Sequence, residues 1–365
     1  MHHILIALLV AFGGCSCSAT SRVYPAHIQI GPDRLDSHVD SPLAQYYVEH
    51  YLPRKGTDPE LDRHIRELLF DFDAKPLTTP TLVRLAQRTS NDFAAVYFAE
   101  REYRSHHRLE DAVARYTDQP PERIPSRAQN FLVVFVPGLF YESHPETKGD
   151  LREAESIVRS LGLATDRVKT GEADPVEANA AKIAQFIADY PDRTRPMVLV
   201  SASKGGPEVL YALGALLEPE DAERVRAWVS IGGALRGSQL ADSYLTGSRR
   251  ILLGLAAWWE GFPCEMVESL STARSSARLD RARIPSHVTV LQYVAVPVSG
   301  SISDALRDDY EEMNAYGPND GITLLTDQLL PGALVVTELG LDHRFAHPRI
   351  SQKAAGLAFA LLELL

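Results

Sequence analysis

A serine lies in a turn of small residues between an apolar stretch and an apolar helix pattern. The stretch Met197–Val200 predicts a buried strand, and Ser201-Ala-Ser203-Lys-Gly205 follows it. A serine at such a turn needs small residues two positions before and after it, because the strand and the helix pass each other closely there. Ser203 is therefore the candidate nucleophile for attack on an acyl carbon. The alternative is that Ser203 only forms the turn or caps the helix.

A nucleophilic serine needs a base, an acid that orients the base, and two N–H donors for the oxyanion. Three histidines follow the turn in the sequence: His287, His343 and His347. His287 begins a predicted strand, so it lies at the end of the sheet opposite to the chemistry. His343 lies in the loop after the predicted strand Ala333–Leu339, which makes it the candidate base, with His347 as the alternative.

Two aspartates are candidates for the acid. Asp320 lies in Asn319-Asp320-Gly321, in the part of the chain between the last two predicted strands. Asp242 follows the predicted strand Val225–Ile231 and is the alternative. The Asn-Asp-Gly sequence is also ordinary turn chemistry, so a simple turn remains open for Asp320.

The backbone N–H groups of Lys204 and Leu139 are the candidate oxyanion donors. Lys204 follows the serine directly, and Leu139 follows Pro137-Gly138, where the glycine lets the backbone come close. The side chain of Lys204 lies either on the helix surface or against an anionic group of the substrate. Chemistry of this kind needs no metal and no cofactor.

The elements that must position these residues alternate between strand and helix. Strands are predicted at 131–136, 164–169, 197–200, 225–231, 288–296 and 333–339, with helical patterns between most of them. Such alternation predicts an α/β fold with a mostly parallel central sheet, right-handed crossovers and flanking helices. In sheets of this type the chemistry lies at the carboxyl ends of the strands, where each candidate residue falls.

Four segments resemble the serine lipases and esterases of bacteria within the α/β-hydrolase superfamily, including its GPI inositol-deacylase-like branch. They are Ser201–Gly205, Ile231–Asp242, Gly317–Ile322 and Asp342-His343. The resemblance covers about 131–350 and implies an α/β-hydrolase fold with Ser203, Asp320 and His343 as the catalytic triad. It also implies hydrolysis of carboxylic esters or lipids through an acyl-enzyme.

Two alternatives to an ester hydrolase remain open. A thioesterase or an acyltransferase of the same fold would form the same acyl-enzyme. A non-catalytic binding protein of the cell envelope could also use this fold, because a fold does not fix a function.

The rest of the chain divides into four predicted parts: a signal peptide at 1–14, a tether at 15–40, a helical extension at 41–128 and the hydrolase domain at 129–365. Asp58-Pro59, Thr79-Pro80 and Asn91 predict helix starts in the extension. Within the hydrolase domain, 240–285 is a predicted helical insertion. The resemblance implies a cap over an acyl pocket there, and an ordinary crossover helix is the alternative.

Charge and the N-terminal sequence indicate where the protein acts. The net charge of −11 over 365 residues argues against nucleic-acid binding and against a polybasic membrane patch. An apolar run, Ile4–Phe12, precedes Gly13-Gly14-Cys15, which is typical of a secretory signal and resembles a bacterial lipoprotein cleavage site. We therefore expect export and a membrane anchor on acylated Cys15, with a plain signal peptide as the alternative.

Overall fold

The computed structural model describes residues 23–365, except for the side chains of residues 258–260. The predicted signal peptide and Cys15 lie outside the described residues. Within 23–365, none of the helices combines the length and the apolar character needed to cross a membrane.

An antiparallel hairpin of β1 (Tyr24–Ile30) and β2 (Asp33–Val39) opens the described chain. It replaces the predicted tether over most of its length. Alternate residues of β1 are buried and exposed, as in a strand with one face on a core. Gly31 has a φ of +54° at the turn between the strands. The exposed polar residues of this stretch are the reason why its sequence resembles a tether.

Four helices follow the hairpin: α1 (Pro42–Tyr46, continued by a π-helical turn to Tyr51), α2 (Pro59–Asp73), α3 (Thr79–Arg88) and α4 (Asn91–Asp118). Asp58 caps α2 as predicted, because its side chain accepts hydrogen bonds from two first-turn N–H groups. At α4 the cap is Ser90 and not Asn91, since Ser90 Oγ accepts from Phe93 N at 3.2 Å. The backbone of α4 leaves helical geometry at His106.

The central sheet has six strands in the spatial order β4-β3-β5-β6-β7-β8. Every pairing from β4 to β7 along this order is parallel, so the predicted mostly parallel sheet is confirmed. All residues of β3 and β5 are buried, which explains why their sequences are almost wholly apolar. The strands are β3 (Leu132–Val136), β4 (Ala164–Arg167), β5 (Met197–Ala202), β6 (Val225–Ile231), β7 (Thr289–Val296) and β8 (Leu334–Leu339).

Among the described residues, nine α-helices lie between the strands of the sheet, and a tenth, α14 (Ile350–Leu364), follows β8. The nine are α5 (Arg152–Ser160), α6 (Val176–Asp189), α7 (Gly205–Tyr211, continued by a π-helical turn to Leu216), α8 (Pro219–Ala222), α9 (Gln239–Tyr244), α10 (Gly247–Glu260), α11 (Cys264–Ser269), α12 (Thr272–Arg281) and α13 (Arg307–Met313). The predicted insertion at 240–285 contains α9 to α12. On α10, Ile251 and Leu255 are 69% and 60% exposed. Whether this insertion acts as a cap stays a prediction.

The chain clusters into two compact units that differ from the predicted domains. Unit 1 contains the residues up to Ser105 together with Ala295–Thr326 and Thr337–His343. Unit 2 contains His106–Val294, Asp327–Val336 and Arg344–Leu365. Two segments of the predicted hydrolase domain therefore belong with the N-terminal region. Sequence patterns could not indicate this, because the contacts join residues more than 200 positions apart.

Candidate active site

Ser203 occupies a strained turn directly after β5. Its φ is +49°, a left-handed value that a residue with a side chain seldom adopts. Its backbone N–H donates to Ile231 O at 2.9 Å, and its carbonyl accepts from Gly206 N at 2.9 Å and from Ala234 N at 3.3 Å. These bonds to the end of β6, to the residues after it and to α7 fix the turn. A strained backbone conformation persists when surrounding contacts hold it in this way.

Steric contacts explain the small residues around Ser203. A Cβ on Gly205 would lie 2.9 Å from the carbonyl oxygens of both Val136 and Pro137. A Cβ on Gly206 would lie 2.8 Å from Gly233 Cα. Both distances are shorter than real Cβ contacts, so the helix can start here only without side chains at these two positions.

Ser201 supplies the first small residue of the turn and has a bond of its own. It is fully buried, and its hydroxyl accepts a hydrogen bond from Trp228 Nε1 at 2.8 Å. Trp228 on β6 is also fully buried, and its indole N–H needs an acceptor there. This contact accounts for a serine at a position where a glycine would satisfy the steric requirement alone.

The turn after β3 approaches the serine closely. A Cβ on Gly138 would lie 3.4 Å from Ser203 Cβ. Gly138 N donates to Gly149 O at 2.8 Å and Phe140 N to Glu172 O at 3.2 Å, while Phe140 has a φ of +51°. This fixed backbone places Leu139 one residue from the contact with Ser203.

The backbone N–H groups of Leu139 and Lys204 have no acceptor among residues 23–365. Lys204 N is joined covalently to the carbonyl carbon of Ser203, and Leu139 N follows Gly138, where an added Cβ would lie 3.4 Å from Ser203 Cβ. Two unoccupied N–H donors beside a serine can stabilise an oxyanion that forms on an acyl group there.

Asp320 and His343 form a hydrogen-bonded pair in unit 1. His343 Nδ1 lies 2.7 Å from Asp320 Oδ2, and His343 N donates to Asp320 O at 2.9 Å. Because an ionised carboxylate only accepts, Nδ1 carries the proton and Nε2 is the nitrogen that can take one. This is the arrangement of a histidine base oriented by an acid.

The loop of Asp320 is a closed polar turn. Asp320 Oδ1 accepts from the N–H groups of Ile322 at 2.9 Å and of Thr323 at 2.8 Å. Asn319 Oδ1 accepts from Gly321 N at 2.9 Å, and Gly321 has a φ of +99°. The Asn-Asp-Gly turn predicted from the sequence is present, and its backbone bonds aim the second oxygen of Asp320 at the histidine.

The neighbours of His343 set its pKa. Burial alone would lower the pKa, but the carboxylates of Asp320 and Asp342 outweigh burial and raise it above the ordinary value of 6.5. Asp320 itself is fully buried, so its charge acts on the ring with little screening by water.

No family model matches the sequence, and no curated protein matches it. The metagenomic carboxyl esterase MGS0156 is similar in structure, with 26% identity, a TM-score of 0.55, and coverage of 67% of this chain and 78% of that one. The mature lipase BlEst2 of Bacillus licheniformis is also similar, with 23% identity, a TM-score of 0.50, and coverage of 67% of this chain and 92% of the lipase.

The chain has the α/β-hydrolase fold. The structural neighbours are esterases and lipases, as the sequence predicted. A closer relation to the GPI inositol-deacylase-like branch is not among the similarities found and stays a prediction.

In this fold the side chain of Lys204 is neither on the helix surface nor directed at a substrate. It is 2% exposed, and its Nζ forms an ion pair with Glu208, one turn further along α7. Glu208 is 1% exposed and accepts from Asn179 Nδ2 at 2.9 Å. Burial raises the pKa of Glu208, and the charge of Lys204 opposes this rise. The i,i+4 spacing of Lys204 and Glu208 is a signal that could have predicted the pair.

The alternative acid and base candidates have other partners. Asp242 accepts from the backbone N–H of Thr272 at 3.0 Å and from its hydroxyl at 2.6 Å, so it fixes the start of α12. His347 Nδ1 accepts from Arg349 N at 2.9 Å, and His287 Nε2 lies 3.1 Å from Ala222 O. Of the candidates, His343 and Asp320 are the two that are hydrogen-bonded to each other.

Proposed function

We propose that this α/β-hydrolase is a serine ester hydrolase that cleaves carboxylic esters through an acyl-enzyme on Ser203. The observation that carries the proposal is the strained Ser203 together with two backbone N–H groups in the adjoining turns, Leu139 N and Lys204 N, that have no acceptor among the described residues. The structural similarity to the carboxyl esterase MGS0156 supports the same reaction class. An acyl ester or lipid is the proposed substrate.

In the proposed mechanism, His343 serves Ser203 as the base. Ser203 Oγ attacks the carbonyl carbon while its proton passes to His343 Nε2, and the oxyanion accepts hydrogen bonds from Leu139 N and Lys204 N. His343 then gives the proton to the leaving alcohol, and the acyl-enzyme remains. A water molecule, deprotonated by His343, then attacks the acyl carbon, the bond to Ser203 Oγ breaks, and His343 returns the proton to Oγ as the acid leaves. Asp320 holds the proton on Nδ1 and stabilises the imidazolium.

The order of the residues along the chain supports this assignment. Ser203 follows β5, Asp320 follows β7 and His343 follows β8. The order Ser, Asp, His is that of α/β-hydrolase triads, and residues after parallel strands lie at the end of the sheet where ligands bind.

A fluorophosphonate probe tests the proposal directly. The probe should label Ser203, and the label should be lost when the protein is denatured beforehand. Absence of labelling would favour a non-catalytic binding protein. A panel of p-nitrophenyl esters and matching thioesters of increasing chain length would then separate an esterase from a lipase or a thioesterase.

We also propose that the protein is exported and anchored to a membrane through Cys15. The proposal rests on the apolar run Ile4–Phe12 and the following Gly-Gly-Cys sequence. A stable anchor needs more than one acyl chain. Recovery of the Cys15→Ser variant in the same membrane fraction as the wild type would contradict it.

A further inference from the structure

The N-terminal region has no role in the proposed mechanism, yet its contacts converge on the segments that carry the acid and the base. Unit 1 joins this region to Ala295–Thr326, which contains Asp320, and to Thr337–His343. Several of the contacts between these three segments are hydrogen bonds, which specify geometry as well as proximity.

Asp92 in the first turn of α4 is the centre of these contacts. It is fully buried, and both of its carboxylate oxygens accept from Ser299 N, at 2.9 and 3.1 Å. Oδ1 also accepts from the hydroxyl of Tyr310 at 3.2 Å, and Oδ2 accepts from Asp40 N at 2.8 Å. One carboxylate therefore ties the end of β2 to two positions in the segment that leads to Asp320.

Tyr310 connects this carboxylate to the catalytic loop. Asn319, the residue before Asp320, donates from Nδ2 to Tyr310 O at 3.4 Å and to Asn314 Oδ1 at 3.1 Å. Asn314 O in turn accepts from Asn91 Nδ2 at 3.1 Å. Helix α13 is thus held at one side by α4 and at the other by the residue next to the acid.

The segment of His343 is held by the same region. Asp342 Oδ2 accepts from Ser303 N at 2.9 Å, which joins the residue before His343 to the segment that Asp92 holds. A Cβ on Gly340 would lie 2.7 Å from the side chain of Leu35 on β2. The hairpin therefore packs directly against the turn that leads to the base.

Two further bonds join the region to the catalytic segments. Gly300 N donates to His38 O at 2.9 Å, and the hydroxyls of Thr79 and Thr326 lie 2.6 Å apart. Together these contacts reach the segment before Asp320 and the segment after it.

The burial of Asp92 has an energetic cost. Burial first, and then the charge of Asp40, raise the pKa of Asp92 from 3.8 to about 7. Because the folded protein binds this proton more tightly than the unfolded chain, stability falls as the pH rises from 3.8 to about 7.

We infer that residues 23–105 act as a scaffold that positions the acid and the base, and that Asp92 is its principal positioning residue. The inference rests on the proposed function, in which Asp320 and His343 are the acid and the base. It assigns a role to residues that the sequence left as parts of the tether at 15–40 and of the helical extension at 41–128.

The test compares two variants with the same chemical change. Asp92→Asn keeps the shape of the side chain but replaces one acceptor oxygen with a donor. Asp73→Asn is the matched control, because Asp73 accepts from Tyr97 Oη at 2.9 Å and from Arg104 Nη2 at 3.1 Å, both inside the scaffold. We expect Asp92→Asn to lower kcat on a short-chain p-nitrophenyl ester by about 10²-fold with little change in KM. A displacement of a catalytic group by about 1 Å can lower the rate by that factor. Asp73→Asn should retain the kcat of the wild type.

A second measurement does not depend on turnover. In Asp92→Asn the pKa of His343, followed by NMR of the imidazole, should fall towards 6.5, because Asp320 is no longer held against the ring. Should Asp92→Asn not fold, Tyr310→Phe, which removes one hydroxyl, takes its place in both measurements. An unchanged kcat and an unchanged His343 pKa in the folded variant would overturn the inference. Failure of the proposed function looks different, since Ser203 would then not react with the fluorophosphonate in the wild type.

Discussion

The turn of Ser203 and the pair Asp320–His343 are built in different ways. The turn consists of residues adjacent in sequence, and close backbone contacts at Gly205 and Gly206 shape it. The acid–base pair joins residues 23 positions apart, and its segments are supported by side chains more than 200 positions away. The first site depends on steric fit, and the second depends on buried polar groups. Substitutions should therefore affect the two sites through different physical quantities.

The largest effect should follow from removing the nucleophile. Ser203→Ala should lower kcat by on the order of 10⁶, as for serine removal in related chemistry, because the acyl-enzyme can no longer form. The fold should survive, since the backbone bonds of Ser203 do not involve its hydroxyl. Steady-state kinetics with circular dichroism as the folding control checks this. Activity within tenfold of the wild type, about 1.4 kcal/mol in barrier, would exclude Ser203 as nucleophile.

The next largest effect should fall on the acid. Asp320→Asn should lower kcat by roughly 10⁴, because the amide lets His343 adopt the wrong tautomer. Asp242→Asn is the matched control and should lose little activity, since Asp242 bonds to Thr272 at the start of α12. Both are measured as kcat on a soluble short-chain ester. The reverse ranking would transfer the acid to Asp242.

A smaller effect should follow from the buried ion pair beside the nucleophile. Glu208→Gln keeps an acceptor for Lys204 and Asn179 but leaves the ammonium of Lys204 buried without a counter-charge. We expect a loss of about 3 kcal/mol in the free energy of unfolding. We also expect kcat to fall by about 10-fold, because movement of Lys204 would weaken the hydrogen bond from its backbone N–H to the oxyanion. Complete removal of one such donor lowers kcat by about 10² or more.

Glu155→Gln is the control for Glu208→Gln, because Glu155 pairs with Arg167 and Arg159 away from the serine. Urea unfolding and steady-state kinetics on both variants separate stability from catalysis. Equal losses of kcat in the two variants would contradict a specific role for the Lys204–Glu208 pair.

The smallest effect should be a shift in pH dependence. His343 must be neutral to act as a base, so kcat/KM should rise with pH through an apparent pKa above 6.5. In Asp320→Asn the residual kcat/KM should still rise with pH, but the midpoint of the rise should lie at a lower pH, because the carboxylate that raises the pKa of His343 is gone. The same raised pKa stabilises the fold below the ordinary pKa of histidine, and this contribution is lost as the pH rises through the folded value. A rise centred below 6.5 in the wild type would contradict this assignment.

The sequence predicted local features well and long-range assembly poorly. The strand–turn–helix at Ser203 and the turn at Asp320 follow from residues within a few positions of each other, and both are present. The hairpin at residues 24–39 was missed, because its exposed polar face hid the alternation of buried residues. The burial of Lys204 was missed because burial depends on how other elements pack around α7, among them α6, whose Asn179 donates to the partner Glu208.

The sequence by itself determined the parallel sheet, the α/β-hydrolase fold class and the candidate residues Ser203, Asp320 and His343. These follow from hydrophobic pattern, glycine positions and chain order, which act locally or at fixed spacing. Only the tertiary structure decided that the N-terminal region supports the acid and the base and that Asp242 fixes a helix start. Those outcomes depend on which polar groups become buried together, and burial is a property of the folded chain as a whole.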